Sequence, residues 1–419
     1  MSKRDSPGDS ASVLEAATRV LGLCDADLSV HPKDAGLHRR KAEALYVIGF
    51  AGGRRQCLVE SVALYDRAIE LGDDAASTHS GRGLVLGFLG RYSDAVESYE
   101  RAIGHDPENA DLWRQKALAL GFLERHADAV ESYERALGLD PDNADLHVEM
   151  GMALDDMGRL DDALASYRRA AALNPKNSVA HAFTGRALLG LGRPAEALGS
   201  FDEALFLDPQ NAVSHIDRGY ALDSLNRHAD ALKDFDHAIR LDPGNHHAHA
   251  ARGAALLRLG RYPDALDALD RAIVIRGDSP SAHFSRGSAL SRLGRHADAL
   301  AAFDRAVSLD PGNPDSHCGR GGALIVLGRH ADALGAFDRA VSLDPDSHVS
   351  HDGRGAALTE MGRHADALGA FDRAISLDPT DPEPHAHRAR ALRLLGRHDE
   401  ASAALDRADE LSTSRQSPG

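Results

Sequence analysis

Cysteine is nearly absent. Cys24, Cys57 and Cys318 are the only three, far apart and odd in number. That excludes a disulfide framework and any closely spaced thiolate zinc site, and it suits a reducing compartment, the cytoplasm. Long apolar runs are missing too. No stretch of about 18 apolar residues occurs, so no membrane-spanning helix is expected. The opening MSKRDSPGDSAS has no apolar stretch of the kind a secretory signal needs. Positive charge is in short supply: 48 basic residues face 64 acidic ones, for a net charge of −16. Such a surface repels phosphate backbones, so nucleic acid is not an expected partner, and basic or neutral partners are favoured. Lysine is scarce while arginine and aspartate are common, a bias that a GC-rich genome or a salt-rich cytoplasm would each produce. Catalytic signatures are lacking as well. There is no glycine-lysine phosphate loop, no dinucleotide fingerprint after a strand, and no nucleophile set beside a base. An enzyme is therefore not expected, and no cofactor or metal is assigned.

What the chain has is repetition. LGRHADALGAFDRAVSLDP, from Leu327 to Pro345, recurs with few changes at Leu293–Pro311 and at Met361–Pro379. Pro107, Pro141, Pro175, Pro209 and Pro243 are spaced by the same 34 residues; Gly277 keeps the spacing, and Pro311, Pro345 and Pro379 resume it. A fixed period of this length overrides any estimate of domain number from chain length. Numbering each unit from the residue after Asn109, the eleventh position is always leucine, the eighth mostly glycine and the tenth nearly always alanine. Those spacings describe one face of a first helix. A glycine such as Gly90 or Gly192 suits its C-terminus, where φ is positive. The second helix carries alanine at positions 20 and 27, with an aromatic between them in most units (Tyr99, Tyr133, Tyr167, Phe201, Phe235). Leu-Asp-Pro stops that helix, and Asn109, Asn143, Asn177, Asn211, Asn245 and Asn313 are placed to cap the next one.

The glycine–leucine pair, the two alanines, the aromatic and the proline together resemble the tetratricopeptide repeat. The resemblance covers residues 75–411 directly, as units of 34 residues. Residues 35–74 look like a degenerate copy. KAEAL and SVALYDRAIEL supply its two helices, with seven extra residues around GFAGGRRQC between them. Residues 1–34 form a polar start with a leading helix over 11–30, and 412–419 a disordered tail. One hairpin cannot bury its own apolar face, whereas a stack of them can. The resemblance implies an all-α, right-handed α-solenoid with a concave groove lined by the first helices.

Positions 2, 5, 9, 12 and 13 of the first helix, with position 6 beside them, vary between units and are not used for packing. The resemblance places them on the inner surface. There the sequence supplies Asp111, Asp145, Glu149, Asp155, Asp156, Asp217 and Asp223, then Arg258, Arg292, Arg390 and Arg393. An acidic stretch followed by a more basic one predicts docking of a basic peptide segment. Relatives that clamp a chaperone's terminal carboxylate carry asparagine at position 9; here Leu84, Leu118, Met152, Arg186 and Tyr220 stand, which does not support that clamp. Histidines cluster at position 4 (His38, His79, His147 and others) and at position 17 (His126, His228, His296 and others), where the family uses large aromatics, so a structural substitute is expected rather than a metal site. His246, His247 and His249 form the one local group. Arginine at position 7 is expected to pair with an aspartate of a neighbouring second helix. Arg54 and Arg55 sit in the inserted segment, and Leu405 and Ala408 at an end that leaves self-association open. The function expected is a non-catalytic scaffold for protein or peptide segments; the alternative is a regulatory or recruiting arm of an enzyme complex, such as one with a separate glycosyltransferase chain.

Overall fold

The computed structural model of the chain describes residues 7–416, with side chains described for 12–414. Residues 1–6 and 417–419, the ends of the expected polar start and tail, lie outside the described residues. The chain forms two units, residues 1–209 and 210–419. The first holds α1 (Pro7–Val30), α2 (Ala35–Ala51), α3 (Arg55–Glu70), α4 (Ala76–Phe88), α5 (Tyr92–His105), α6 (Ala110–Phe122), α7 (His126–Leu139), α8 (Ala144–Asp156), α9 (Leu160–Leu173), α10 (Ser178–Gly190) and α11 (Pro194–Leu207). The second holds α12 (Ala212–Ser224), α13 (His228–Leu241), α14 (His246–Arg258), α15 (Tyr262–Ile275), α16 (Pro280–Arg292), α17 (His296–Leu309), α18 (Pro314–Val326), α19 (His330–Leu343), α20 (His348–Glu360), α21 (His364–Leu377), α22 (Pro382–Leu394) and α23 (His398–Gln416). There is no strand among the described residues. Each unit is an all-α stack of antiparallel helix pairs, a helical-repeat solenoid.

Each pair is built the same way. A side chain caps the first helix in all but α4, usually asparagine, with Asp34, Ser279, Ser347 and Asp381 in its place; Asn143 Oδ1 accepts the Leu146 amide at 3.2 Å. The last turn closes with an αL residue, and the amide that follows reaches back to the leucine at position 11. Glycine fills that αL slot in most pairs, but Glu124 (φ 57°) and Asn226 (φ 59°) occupy it twice. The second helix has no side-chain cap. Its first turn instead offers a carboxylate to the positive end of the helix, as with Asp128, which pairs with the preceding Arg125.

Packing within a pair rests on the ring at position 24. The position-20 and position-27 alanines are fully buried, as at Ala129 and Ala136, and bring the second helix close to the first. In most pairs the ring then presses one edge against the glycine at position 8. A Cβ placed on Gly151 would sit 2.5 Å from the Tyr167 ring, which is itself fully buried. The other side of the ring meets the next pair. Phe183 stacks on Tyr167 at 5.3 Å, and Phe303 is held between Gly287 of its own pair and Gly319 of the following one.

Within each unit successive first helices also touch, α2 with α4, α4 with α6 and α8 with α10 in the first unit, α12 through α22 in the second. No comparable contact joins successive second helices. Each unit therefore curves with its first helices on the inner side.

The arginines at position 7 pair as expected with the second helix before them. Arg82 Nε donates to Asp66 at 2.6 Å, and Arg252–Asp236, Arg286–Asp270, Arg320–Asp304, Arg354–Asp338 and Arg388–Asp372 repeat the step. Lys116 makes the same step to Glu100. Arg218 also reaches forward, to Asp234. These pairs are partly exposed, so each contributes at most about 1 kcal/mol.

Two expectations change. The extra residues of the degenerate copy do not form a loop. They lengthen α2 to 17 residues, against 13 in α4, and α3 to 16, against 14 in α5. Tyr46–Ala51 is apolar and continues the helix, and Arg55 donates to the Leu89 carbonyl. The last helix does not stop at Leu411 but runs to Gln416, because no helix breaker intervenes and Ser412, Thr413 and Ser414 bond back to carbonyls four residues earlier. Ala408 is buried, while Leu405 is partly exposed.

Three substitutions test this packing and its turns. Gly151→Val drives a side chain into a ring that cannot retreat and should cost about 1–3 kcal/mol, whereas Gly199→Ala, in an exposed mid-helix site with open space around it, should gain about 0.5–1 kcal/mol. Chemical denaturation of the two variants beside the parent reads both signs. Glu124→Gly should likewise stabilise by about 0.5–1 kcal/mol by relieving the αL strain; a lowered midpoint would contradict that assignment.

Candidate functional site

The inner face of the first unit carries an apolar stripe that packing does not consume. Tyr46 and Phe50 of α2 meet Phe88 of α4, with ring centroids 5.8 and 4.9 Å away. Tyr92, at the start of α5, stacks on Phe122 of α6 at 4.6 Å and 8°. Leu84, Leu118 and Met152 fill the positions between. Exposure is high for such side chains: 57% for Phe50 and 67% for Phe122. Two hollows open along the stripe. One of about 330 Å³ is lined by Leu84, Phe88, Tyr92, Leu118 and Phe122. The other, of about 320 Å³, is lined by Leu118, Phe122, Tyr133, Met152, Glu149 and Asp156. A third, of about 430 Å³ and more polar, adds Glu43, Tyr46, Asn109 and Asp111. Isolated exposed hydrophobics need no explanation, but a contiguous row across four first helices does.

The carboxylates named from the sequence divide. Asp111, Glu149 and Asp156 line these hollows. Asp145 and Asp155 are on the same helix face without lining them. Glu149 is closed by a two-pronged bond from Arg114, at 2.5 and 2.8 Å. His126 lies 3.7 Å from Asp156. Asp111, Asp145 and Asp155 carry no ion pair among the described residues. Asp217 and Asp223 belong to the second unit, where Asp223 is taken by Arg258 and by His228, the latter at 2.6 Å. Arg390 of the basic set pairs with Glu360 at 2.8 Å. Much of the charge read off the first helices is therefore cancelled one repeat away. The aromatic stripe was not singled out from sequence, although Leu84, Phe88, Leu118, Phe122 and Met152 are visible there as apolar residues at positions 9 and 13, off the packing face.

Most histidines of position 4 bond a backbone carbonyl. His147 Nε2–H donates to the Pro141 carbonyl at 3.1 Å, and His38, His181, His249, His283, His317 and His351 do the same to the residue six before them. Trp113 makes the identical bond through Nε1–H to Pro107 at 2.9 Å, which explains why histidine can stand where an aromatic is usual. Two histidines do more. His215 and Arg218 both donate to Asp234; burial alone would raise its pKa, but these donors outweigh burial and hold it below the usual carboxylate range. His387 donates from Nδ1 to Asp352 at 2.9 Å, and that bond raises its pKa above the ordinary histidine value.

With this geometry in view, comparison with known proteins is decisive for the family. Models described as tetratricopeptide repeat match residues 80–144, 148–212, 216–283 and 284–348, and a second such model matches 358–413. The chain is a tetratricopeptide repeat protein. Among solved structures it is similar to a tetratricopeptide repeat protein from Parabacteroides merdae (19% identity, 59% of this chain and 98% of that one, TM-score 0.50). It is also similar to a chain of the APC/C hetero-tetramer Cut9-Hcn1 (15% identity, 91% and 92%, TM-score 0.54). At these identities the likeness concerns the fold. No curated protein matches the chain. No helix among the described residues of this tetratricopeptide repeat protein is long and apolar enough to cross a membrane.

The His387–Asp352 pair gives a pH prediction. The folded state binds this proton more tightly than the unfolded chain, so the pair stabilises below the ordinary histidine pKa, and its contribution fades as pH rises through the raised value. His387→Gln should therefore lower the melting temperature at about pH 6 but not at about pH 8.5. Because the side chain is close to half exposed, the difference should not exceed about 1 kcal/mol. Equal effects at both pH values would contradict the assignment.

Proposed function

We propose that this tetratricopeptide repeat protein is a non-catalytic scaffold that holds an extended peptide segment on the inner face of its first unit. The observation that carries the reading is the continuous exposed row Phe50–Phe88–Phe122–Met152 with Asp111, Asp145 and Asp155 beside it. Rings on a pre-formed helical surface lose little freedom on binding, and aromatic residues dominate interface energetics. The adjoining carboxylates favour a segment that combines apolar side chains with lysine or arginine. Such a ligand would seat its apolar groups in the hollows and its cations along the rim, where charge mainly sets the rate of encounter and the partner choice.

Selection from a displayed peptide library on the full chain tests this. Enriched peptides should pair aromatic or aliphatic residues with basic ones. Phe88→Ala with Phe122→Ala should weaken the best of them at least tenfold, about 1.4 kcal/mol, while the helical signal and melting temperature stay near the parent's, since both side chains are exposed. Asp111→Asn with Asp145→Asn should weaken binding less, and only at low salt. Peptides that bind the double phenylalanine variant as well as the parent would refute the site.

A further inference from the structure

One histidine of position 4 departs from its siblings. In the turn before α4 the repeat's proline is replaced by Asp73, within Gly72-Asp73-Asp74. His79 does not bond the carbonyl six residues back. Its Nε2 instead lies 2.7 Å from Asp74 Oδ1. His105, at the end of α5, brings its own Nε2 to 3.2 Å from Asp74 Oδ2. The two imidazoles lie parallel, 5.9 Å between centroids and 4° between planes. All three ligand atoms fall within 4.8 Å of one another.

We propose that Asp74, His79 and His105 form a binding site for a divalent transition-metal ion, with Zn2+ the natural occupant. Two imidazole nitrogens and one carboxylate oxygen are the donor types zinc takes, at about 2.0–2.2 Å each. Bonds of that length require donor atoms about 3.3–3.5 Å apart, which small side-chain rotations of this cluster supply. Hard cations such as Mg2+ and Ca2+ prefer all-oxygen sets and are disfavoured. His79 is 1% exposed, so it is held rigidly, while Asp74 is 70% exposed on the opposite side and leaves the remaining coordination open to water. Binding would move the ring proton of His79 from Nε2 to Nδ1, which is buried and makes no hydrogen bond, and would exchange the Nε2–H···Asp74 bond for a bond to the metal. The ion would tie the turn, α4 and the end of α5 together where the proline that stiffens the other turns is missing.

The test uses the full chain without an affinity tag, stripped with chelator. Zn2+ titrated in competition with a chromophoric chelator should reveal one site at low-micromolar Kd or tighter, with a rise of several degrees in melting temperature. Asp74→Asn and His105→Ala change exposed side chains and should keep the parent's circular dichroism while weakening that site at least tenfold. His246→Ala with His247→Ala should leave it intact. Absence of a stoichiometric site in the parent would overturn the proposal. So would a site that survives in both folded variants, or one lost with the His246 and His247 pair.

Discussion

The structure depends on one contact, an aromatic ring pressed by its edge against a glycine. Where Tyr167 abuts Gly151 and Phe303 sits between Gly287 and Gly319, a ring fills the space that a missing Cβ leaves open and meets the following pair at the same time. The contact therefore joins helix to helix and pair to pair with one side chain. The fully buried alanines on either side of it set the approach distance, so the ring has no room to move. Repetition of this arrangement explains why the chain tolerates near-identical units: each new pair presents the surface that the next one needs.

Charge plays the lesser part in stability and the larger one in register. The arginine at position 7 always looks back sixteen residues to an acid on the preceding second helix, or forward by the same step at Arg218. Partly exposed pairs of this kind add little energy, but they fix which helix follows which. Histidine at position 4 serves a similar end. By copying the bond that Trp113 makes to a proline carbonyl, it ties most first helices to the turn before them. The histidines of position 4 are thus mostly a structural habit, and His79 and His215 depart from it by turning to Asp74 and Asp234.

Both proposed sites lie where the repeat is least regular. In the first unit, Leu84, Phe88, Leu118, Phe122 and Met152 put large apolar side chains at positions 9 and 13 of three successive first helices, whereas later pairs mix small, polar and apolar residues there. The lengthened α2 brings Phe50 onto Phe88 and extends the row by one helix. In the same unit, the loss of a proline frees His79 for Asp74. Departures from the consensus are thus the places where the side chains are free to meet something other than the chain itself.

The amino-acid sequence by itself determined the helix pairs, most of their caps, the buried alanines and rings, and the pairing of the position-7 arginines with a neighbouring second helix, though not with which one. These follow from short-range spacing and from contacts repeated in every unit. It also showed which positions face away from the core. Only the tertiary structure decided which of those positions matter. Glu149 and Asp223 look like free charges in a string of letters but are neutralised by Arg114 and Arg258, 35 residues away. The aromatic row, the helical use of the extra residues after Phe50, and the meeting of Asp74, His79 and His105 all join segments from different helices. Their neighbourhood is set by how the pairs stack, a quantity that no single repeat contains.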